Sequence, residues 1–294
     1  MRYVQLRAFH YVAIHGGFSR AAEALFLTQP AISDQVRKLE EEYDILLFDR
    51  TKRRVVVTDK GAKLLEITNR LFDQEKQARD FLTESRGLTS GTLRLFVDSA
   101  YHITEILSSF REKYPKIHIN LRVGNTRDVV SELYAYNADI GVLGEMPEKD
   151  DWDVLQLGST PLVAFAANGS KYEGLEIGSY QDLAKCDLVM REQGSKTRQK
   201  LEAATKSVGV SLRPIIEAQG REGVREIVAS GAGIGIVSTA EFGSDERLFE
   251  LPLPAPCPVM SEYLICLRGR KEQKLIKAFM NLAEDSLRQP ETIG

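Results

Sequence analysis

Between Thr28 and Lys38 the chain sets Gln29, Ser33, Gln35, Arg37 and Lys38 among the apolar residues Ala31, Ile32, Val36 and Leu39. Coiled as a helix, this segment buries the apolar set and leaves the other face polar. Gln29 can make paired hydrogen bonds to adenine, and Pro30 and Ala31 can touch a thymine methyl. Ser33, Gln35 and Arg37 can reach bases or phosphates, depending on the roll of the helix, while Thr28 and Lys38 suit the fixing of register on a sugar–phosphate backbone. Arg50, Lys52, Arg53 and Arg54 form a compact cationic cluster fit for phosphates or a minor groove. A third group is dispersed over expected strand ends and helix starts: Asp98, Ser99, Asn125, Thr126, Arg191, Glu192, Ser195, Thr197, Arg198, Arg221 and Glu222. Free N–H groups at helix starts favour anions, which the arginines can balance. Asp98, Glu192 and Glu222 can receive an ammonium. Each hydroxyl can equally be no more than a helix cap.

The elements that hold the first two groups are legible around them. Ser19 can cap a helix whose apolar residues are Ala21, Ala22, Leu25 and Phe26, and Thr28 can cap the next, with Pro30 in its first turn. Two short helices joined by a tight turn are the layout of a DNA-reading helix-turn-helix, though periodicity alone fits an ordinary helical hairpin equally well. A helix over residues 4–14 precedes them and ends at Gly16 and Gly17; Leu46, Leu47 and Phe48 read as core anchors after them. The stretch TKRRVVVTDKG then reads as a β-wing, with basic residues at the tip and Val55 to Val57 as a strand. Thr58 caps a helix running to about Ser85, roughly 42 Å long at 1.5 Å per residue. Leu64, Leu71 and Ala78 recur every seven residues, with Ile67 and Phe81 near the intervening positions of the repeat, a stripe that a second copy of the helix would bury.

After a polar hinge, SRGLTSG at 85–91, strand and helix patterns alternate. Strands are expected at 92–97, 117–123, 139–143, 162–166, 188–191, 235–238 and 262–268, and helices at 103–114, 126–136, 196–208, 223–230 and 272–287. The alternation implies a mainly parallel sheet covered on both faces, in two similar units.

The net charge is −3, yet residues 1–58 carry nine Lys/Arg against seven Asp/Glu, so the basic balance lies where phosphates would be met. No apolar run approaches the ~18 residues of a membrane span. The N-terminus lacks the apolar core of a signal peptide, so a cytoplasmic protein without membrane partners is expected. Three cysteines are too few and too scattered for a disulfide framework or a zinc site. The four histidines, His10, His15, His102 and His118, are dispersed and read as structural. GAGIGIV at 231–237 precedes its strand, so it fails as a dinucleotide loop. With no catalytic set, no metal ligands and no cofactor motif, an enzyme is not expected.

Taken together, FSRAAEALFLTQPAISDQVRKLEEEYDILLFDR, the wing ending in VTDKG and the long helix after it resemble the LysR-type family of bacterial transcription regulators. Asp44 stands where that family commonly has glycine, a substitution the left-handed region tolerates. The resemblance implies an α+β, multidomain fold. A winged helix-turn-helix occupies 1–58 and a dimerisation linker helix with its hinge 59–91. A two-lobed α/β effector domain, like periplasmic binding proteins, occupies 92–294. Lobe I would comprise 92–162 and 267–294, and lobe II 163–266. Dimers joined as a tetramer would bind promoter half-sites, engage RNA polymerase and respond to a small metabolite. VGNTRDVV, REQGSKTR, QGREGVREIV and SEYLICLR are similar to a narrower branch associated with aminoethylphosphonate catabolism, which makes 2-aminoethylphosphonate the expected effector. A cytoplasmic solute-binding protein or sensor without direct gene control is the alternative.

Overall fold

A computed structural model of the chain describes residues 1–49, 55–82, 90–147 and 150–288. They fall into two compact units, Met1–Ser85 and Arg86–Gly294. No helix among the described residues is long and apolar enough to cross a membrane.

In the first unit, α1 (Tyr3–His15), α2 (Phe18–Leu25) and α3 (Gln29–Tyr43) precede a two-stranded wing, β1 (Phe48–Asp49) with β2 (Val56–Val57), and then α4 (Asp59–Leu82). Leu6, Phe9, Val12, Ala21, Ala22, Ile32, Val36, Leu39, Leu47 and Phe48 make one core. The Phe48 ring lies 5.4 Å from that of Phe9 and 5.7 Å from that of Phe18, tying the wing to α1 and α2. Glu40 is buried because its Oε1 accepts the amide N–H groups of Leu47 (2.8 Å) and Phe48 (3.3 Å), fixing the path from α3 into the wing. Asp44 ends α3 in the left-handed region, at φ 50°.

Three expectations here need correction. α2 starts at Phe18 with Gly17 before it, so Ser19 lies inside the helix rather than capping it. Leu46 is 70% exposed; only Leu47 and Phe48 of that trio anchor the core. Phe26 is 95% exposed, because the chain turns left-handed there (φ 54°) and the ring leaves the apolar face of α2. Thr58 does cap α4: its Oγ1 accepts the Gly61 N–H (3.0 Å) and donates to the Leu46 carbonyl (2.8 Å). Further along α4, Ile67, Leu71 and Phe81 of the heptad stripe are exposed.

The second unit holds β3 (Gly91–Val97), α5 (Thr104–Lys113), β4 (Ile117–Val123), α6 (Thr126–Tyr134), β5 (Ile140–Leu143) and β6 (Trp152–Ala167). They are followed by α7 (Tyr180–Leu183), β7 (Leu188–Arg191), α8 (Lys196–Ser207), β8 (Pro214–Ala218), α9 (Arg221–Ala229), β9 (Gly235–Ser238), α10 (Thr239–Phe242), β10 (Leu248–Pro252), β11 (Val259–Leu267) and α11 (Lys274–Arg288). In lobe I the order is β6–β11–β5–β3–β4, with β3 parallel to β4 and β5. In lobe II, β6 lies between β10 and β9, while the parallel pair β7–β8 attaches through backbone bonds to Ile234.

The sheets are therefore mixed rather than mainly parallel. β6 runs through both lobes and pairs antiparallel with β9, β10 and β11. Its first half, like β8 and β10, has no clean apolar run in the sequence. On β11, Met260 packs in lobe II while Leu264 and Cys266 pack in lobe I. Its pairing register shifts between Glu262 and Tyr263. The second crossing between lobes thus lies at this bulge, ahead of the expected 267.

Candidate functional site

In the first unit the polar face of α3 is open. Thr28, Gln29, Pro30 and Ala31 are exposed at the helix start, and Ser33 and Gln35 are half-buried along the same run. Thr28 has extended backbone (φ −83°, ψ 147°) but its side chain makes no capping bond, which leaves the hydroxyl free for an outside acceptor. Ile32, Val36 and Leu39 hold the opposite face in the core, so the roll of α3 is set by burial. Arg37 bonds to Asp34 (2.8 Å) and Glu41 (2.8 Å), and Lys38 to Asp34 (2.7 Å), all within one helix face. These two cations are half-exposed and internally paired, so they offer phosphates less net charge than the sequence suggested. Arg50, Arg53 and Arg54, with Lys52, lie outside the described residues.

In the second unit a small recess, partly open to solvent and with about 20 Å³ of enclosed space, is lined by Asp98, Ser99, Asn125, Thr126, Arg191, Ser195, Lys196, Thr197, Glu241, Met260 and Glu262. The ends of β3 and β7, the starts of α6 and α8, the short helix α10 and the bulge on β11 supply these residues. Seven of the eleven dispersed candidates thus come together: Asp98, Ser99, Asn125, Thr126, Arg191, Ser195 and Thr197. Their local roles differ from expectation in detail. Asn125 is a true cap, accepting the Asp128 N–H (3.0 Å). Ser99 precedes a short 3-10 turn at Tyr101–Ile103 and opens no α-helix. Ser195 stands at the start of α8 without capping it; the residue is 3% exposed and its Oγ has no hydrogen-bond partner among the described residues.

Four candidates do not line the recess. Arg198 is buried against Glu202, Glu217 and the Arg191 carbonyl, a packing role within lobe II. Glu192 binds the Arg191 guanidinium and the Gly220 N–H. Glu222 is exposed and pairs with Arg221. Arg221 itself stands just behind the lining, donating to Glu241 (3.1 Å) and Ser99 (3.4 Å).

Of the acids at the centre, Asp98 was among the sequence candidates, while Glu241 and Glu262 were not. Asp98 Oδ2 accepts from the Gly144 N–H (2.8 Å) and the Thr126 hydroxyl (3.1 Å), while its Oδ1 is buried with no hydrogen-bond partner among the described residues. Glu262 is 4% exposed, and its Oε2 is in the same condition. His102 Nε2 stands 3.4 Å from Glu241 and 3.6 Å from Glu262. Burial, then the charges of Asp98 and Glu241, push the Glu262 carboxyl up to about 9. Burial also raises Asp98 to about 6. Burial works against the Glu241 anion too, but the His102 imidazole and the Arg221 charge outweigh it and hold Glu241 at about 2. One signal was present in the sequence: Glu262 interrupts the buried series Met260, Leu264 and Cys266 on a strand.

Residues 3–62 match the model of the bacterial regulatory helix-turn-helix protein, lysR family, and residues 86–288 match the LysR substrate binding domain. A RuBisCO operon transcriptional regulator of Allochromatium vinosum is 31% identical over 94% of this chain and 93% of its own length. The regulator CbbR of Rhizobium meliloti is 32% identical over 84% of this chain and 80% of its own. Full-length OxyR from Pseudomonas aeruginosa superposes with a TM-score of 0.80 at 18% identity, covering 99% of this chain and 96% of that one. Full-length CbnR, solved with its target DNA, gives 0.67 at 19% identity over 97% and 100% of the two chains. The chain belongs to the LysR family of bacterial transcriptional regulators: it binds DNA through the winged unit and carries the family's effector-binding domain.

Proposed function

We propose that this regulator binds a small zwitterionic metabolite in the recess between its lobes, and that the occupant alters how paired copies hold promoter DNA. The observation that carries the ligand class is the division of the recess into two chemistries. The starts of α6 and α8, with Arg191, Thr197 and the bare Ser195 hydroxyl, suit an anion. Asp98 and Glu262 suit a hydrogen-bond donor of positive charge. 2-Aminoethylphosphonate has both ends and remains the effector proposed, although the matched relatives give no support to that branch. A RuBisCO operon as the target is the second reading, favoured by the full-length match to the Allochromatium vinosum regulator.

Pairing of two copies along α4 is supported by its exposed stripe of Ile67, Leu71 and Phe81, and dimers joined as a tetramer would present two or more α3 helices to separated half-sites. RNA polymerase is the partner proposed at the promoter, and the cytoplasm the compartment. Footprinting of the full chain on DNA upstream of its own gene tests the whole reading. The expected result is protection of two half-sites whose pattern changes when 2-aminoethylphosphonate is added. Protection that no small molecule alters would count against effector control.

The α3 assignment makes a separate prediction. Gln29→Ala should weaken operator binding roughly 10- to 100-fold and leave random DNA nearly unaffected, since a base contact carries sequence information. Arg53→Ala should weaken every duplex alike and reduce the slope of affinity against salt by about one ion. Titrations at several salt concentrations separate the two. Equal losses on both DNAs for Gln29→Ala would remove that residue from base reading.

A further inference from the structure

The recess contains more buried acid than an anion site needs. Asp98 enters from the end of β3, Glu241 from α10 and Glu262 from the bulge on β11. The charged groups facing them are His102 from the 3-10 turn, Arg221 from α9, Lys200 from α8 and Arg191 from β7. Lys196 also lines the recess but is paired with Glu145. Arg221 is committed to Glu241 and Arg191 to Glu192, while His102 Nε2 stands between Glu241 (3.4 Å) and Glu262 (3.6 Å) without a hydrogen bond to either. Two carboxyl oxygens, Asp98 Oδ1 and Glu262 Oε2, therefore remain buried at one recess with no hydrogen-bond partner among the described residues. Carboxyl groups buried this way are costly, and an external donor that brings a positive charge relieves them. The acids do not form a group able to hold a metal ion among the described residues. A ligand ammonium, with several N–H donors and one positive charge, satisfies both oxygens.

We propose that Asp98 and Glu262, whose buried oxygens Oδ1 and Oε2 lack partners at one recess, form a subsite for the ammonium end of the effector. Ammonium binding then also expels the proton held on Glu262. This rests on the effector reading above and adds the chemistry of one end. The step balances simply. The ligand amine enters already protonated, Glu262 passes from carboxylic acid to carboxylate, and its proton leaves to solvent. The bound cation then meets two carboxylates, and its affinity rises with pH until the free Glu262 is itself ionised.

The linkage has a sign that is checkable without ligand. Glu262 ionises near 4.5 in an unfolded chain and about 9 in the folded one. The folded state then binds the extra proton between these values, and stability contributed by that proton is lost as pH rises through the interval. Glu262→Gln keeps the shape and removes the titration. Its melting temperature, followed by the fluorescence of the single Trp152 in lobe I, should exceed wild type at pH about 8 and approach it at pH about 5. Parallel curves for the two proteins across this range would refute a proton held on Glu262.

Binding completes the test. The full-length protein is titrated calorimetrically with 2-aminoethylphosphonate and with ethylphosphonate, in two buffers of different ionisation enthalpy. The expected result is binding about tenfold or more tighter for the amine, with release of a sizeable fraction of a proton. In Glu262→Gln the proton release should vanish and the preference for the amine should shrink. Equal affinity for the two compounds, or binding of neither at about 10 mM, overturns the ammonium subsite. The effector reading is decided separately, by whether any small molecule changes the footprint on DNA.

Discussion

Asp139→Ala is expected to destabilise lobe I by about 3–5 kcal/mol, as removal of one partner from a buried ion pair does. Asp139 is almost wholly buried beside Arg270, which is 1% exposed. Its Oδ1 accepts from Arg270 Nη2 (2.6 Å) and Arg94 Nη2 (2.7 Å), and its Oδ2 from the Arg94 backbone N–H (2.8 Å) and Nε (3.1 Å). One carboxylate thereby joins β3, the loop before β5 and the turn before α11. Without it the Arg270 guanidinium stays in the interior after its counter-carboxylate has gone, and that desolvated charge dominates the loss. For a unit of this size the melting temperature should fall by roughly 10 °C. Trp152, packed in lobe I with Val129, Leu133 and Ile265, reports the transition. Asp150→Ala, which cuts the solvent-facing bonds to Arg268, is the control and should leave the transition in place. A fall no larger than the control's would mean that the buried carboxylate does not organise this end of the lobe.

How much of this was readable beforehand varies with the kind of residue. In the winged unit nearly all of it was, because its helices are amphipathic and their ends carry Thr58, Gly16 and Asp44, whose local geometry depends on neighbours a few residues away. Phe26 was misread because the chain turns left-handed there and takes the ring off the apolar face, and Leu46 because its neighbour Leu47 is the one that enters the core. In the α/β unit the parallel strands β3, β5 and β7 were legible as apolar runs and β4 by its alternation of apolar and polar residues. Of the long antiparallel β6 only the second half, expected at 162–166, was legible, since its first half mixes exposed and half-buried residues and pairs with β11, about a hundred residues away.

The recess shows the same division. Asn125, Thr126, Ser195 and Thr197 were found because helix starts announce themselves in sequence. Glu241 and Glu262 were missed because what defines them is burial among other acids, a property of three strands and loops converging rather than of any local pattern. Arg198 and Glu192 were over-read for the converse reason: each is in the right loop, but ion pairs inside lobe II use them up. Charge type and position along the chain therefore located the recess, while the direction of each side chain decided which charges an effector can meet.

The same distinction between a legible motif and its hidden cause applies to Gly61, the last residue of VTDKG. Gly61→Ala should impair DNA binding by more than tenfold, although alanine is the better helix former by about 1 kcal/mol. A Cβ at this position would lie 2.2 Å from the Leu47 carbonyl oxygen and 3.1 Å from Val57 Cγ1. That carbonyl cannot yield cheaply: it accepts the Thr58 N–H (3.0 Å), and Leu47 and Phe48 are themselves fixed by Glu40. The added methyl must push α4 away from the strand that carries the wing. Overpacking of this kind costs about 1–3 kcal/mol and is opposed only by the propensity gain. The loss should be local. Amide exchange at Leu47 and Val57 should quicken in the variant, while the Trp152 transition in the other unit stays where it was. Were the variant to bind operator DNA normally with these amides still protected, the close approach of α4 to the wing would not be what positions α3 and the wing together.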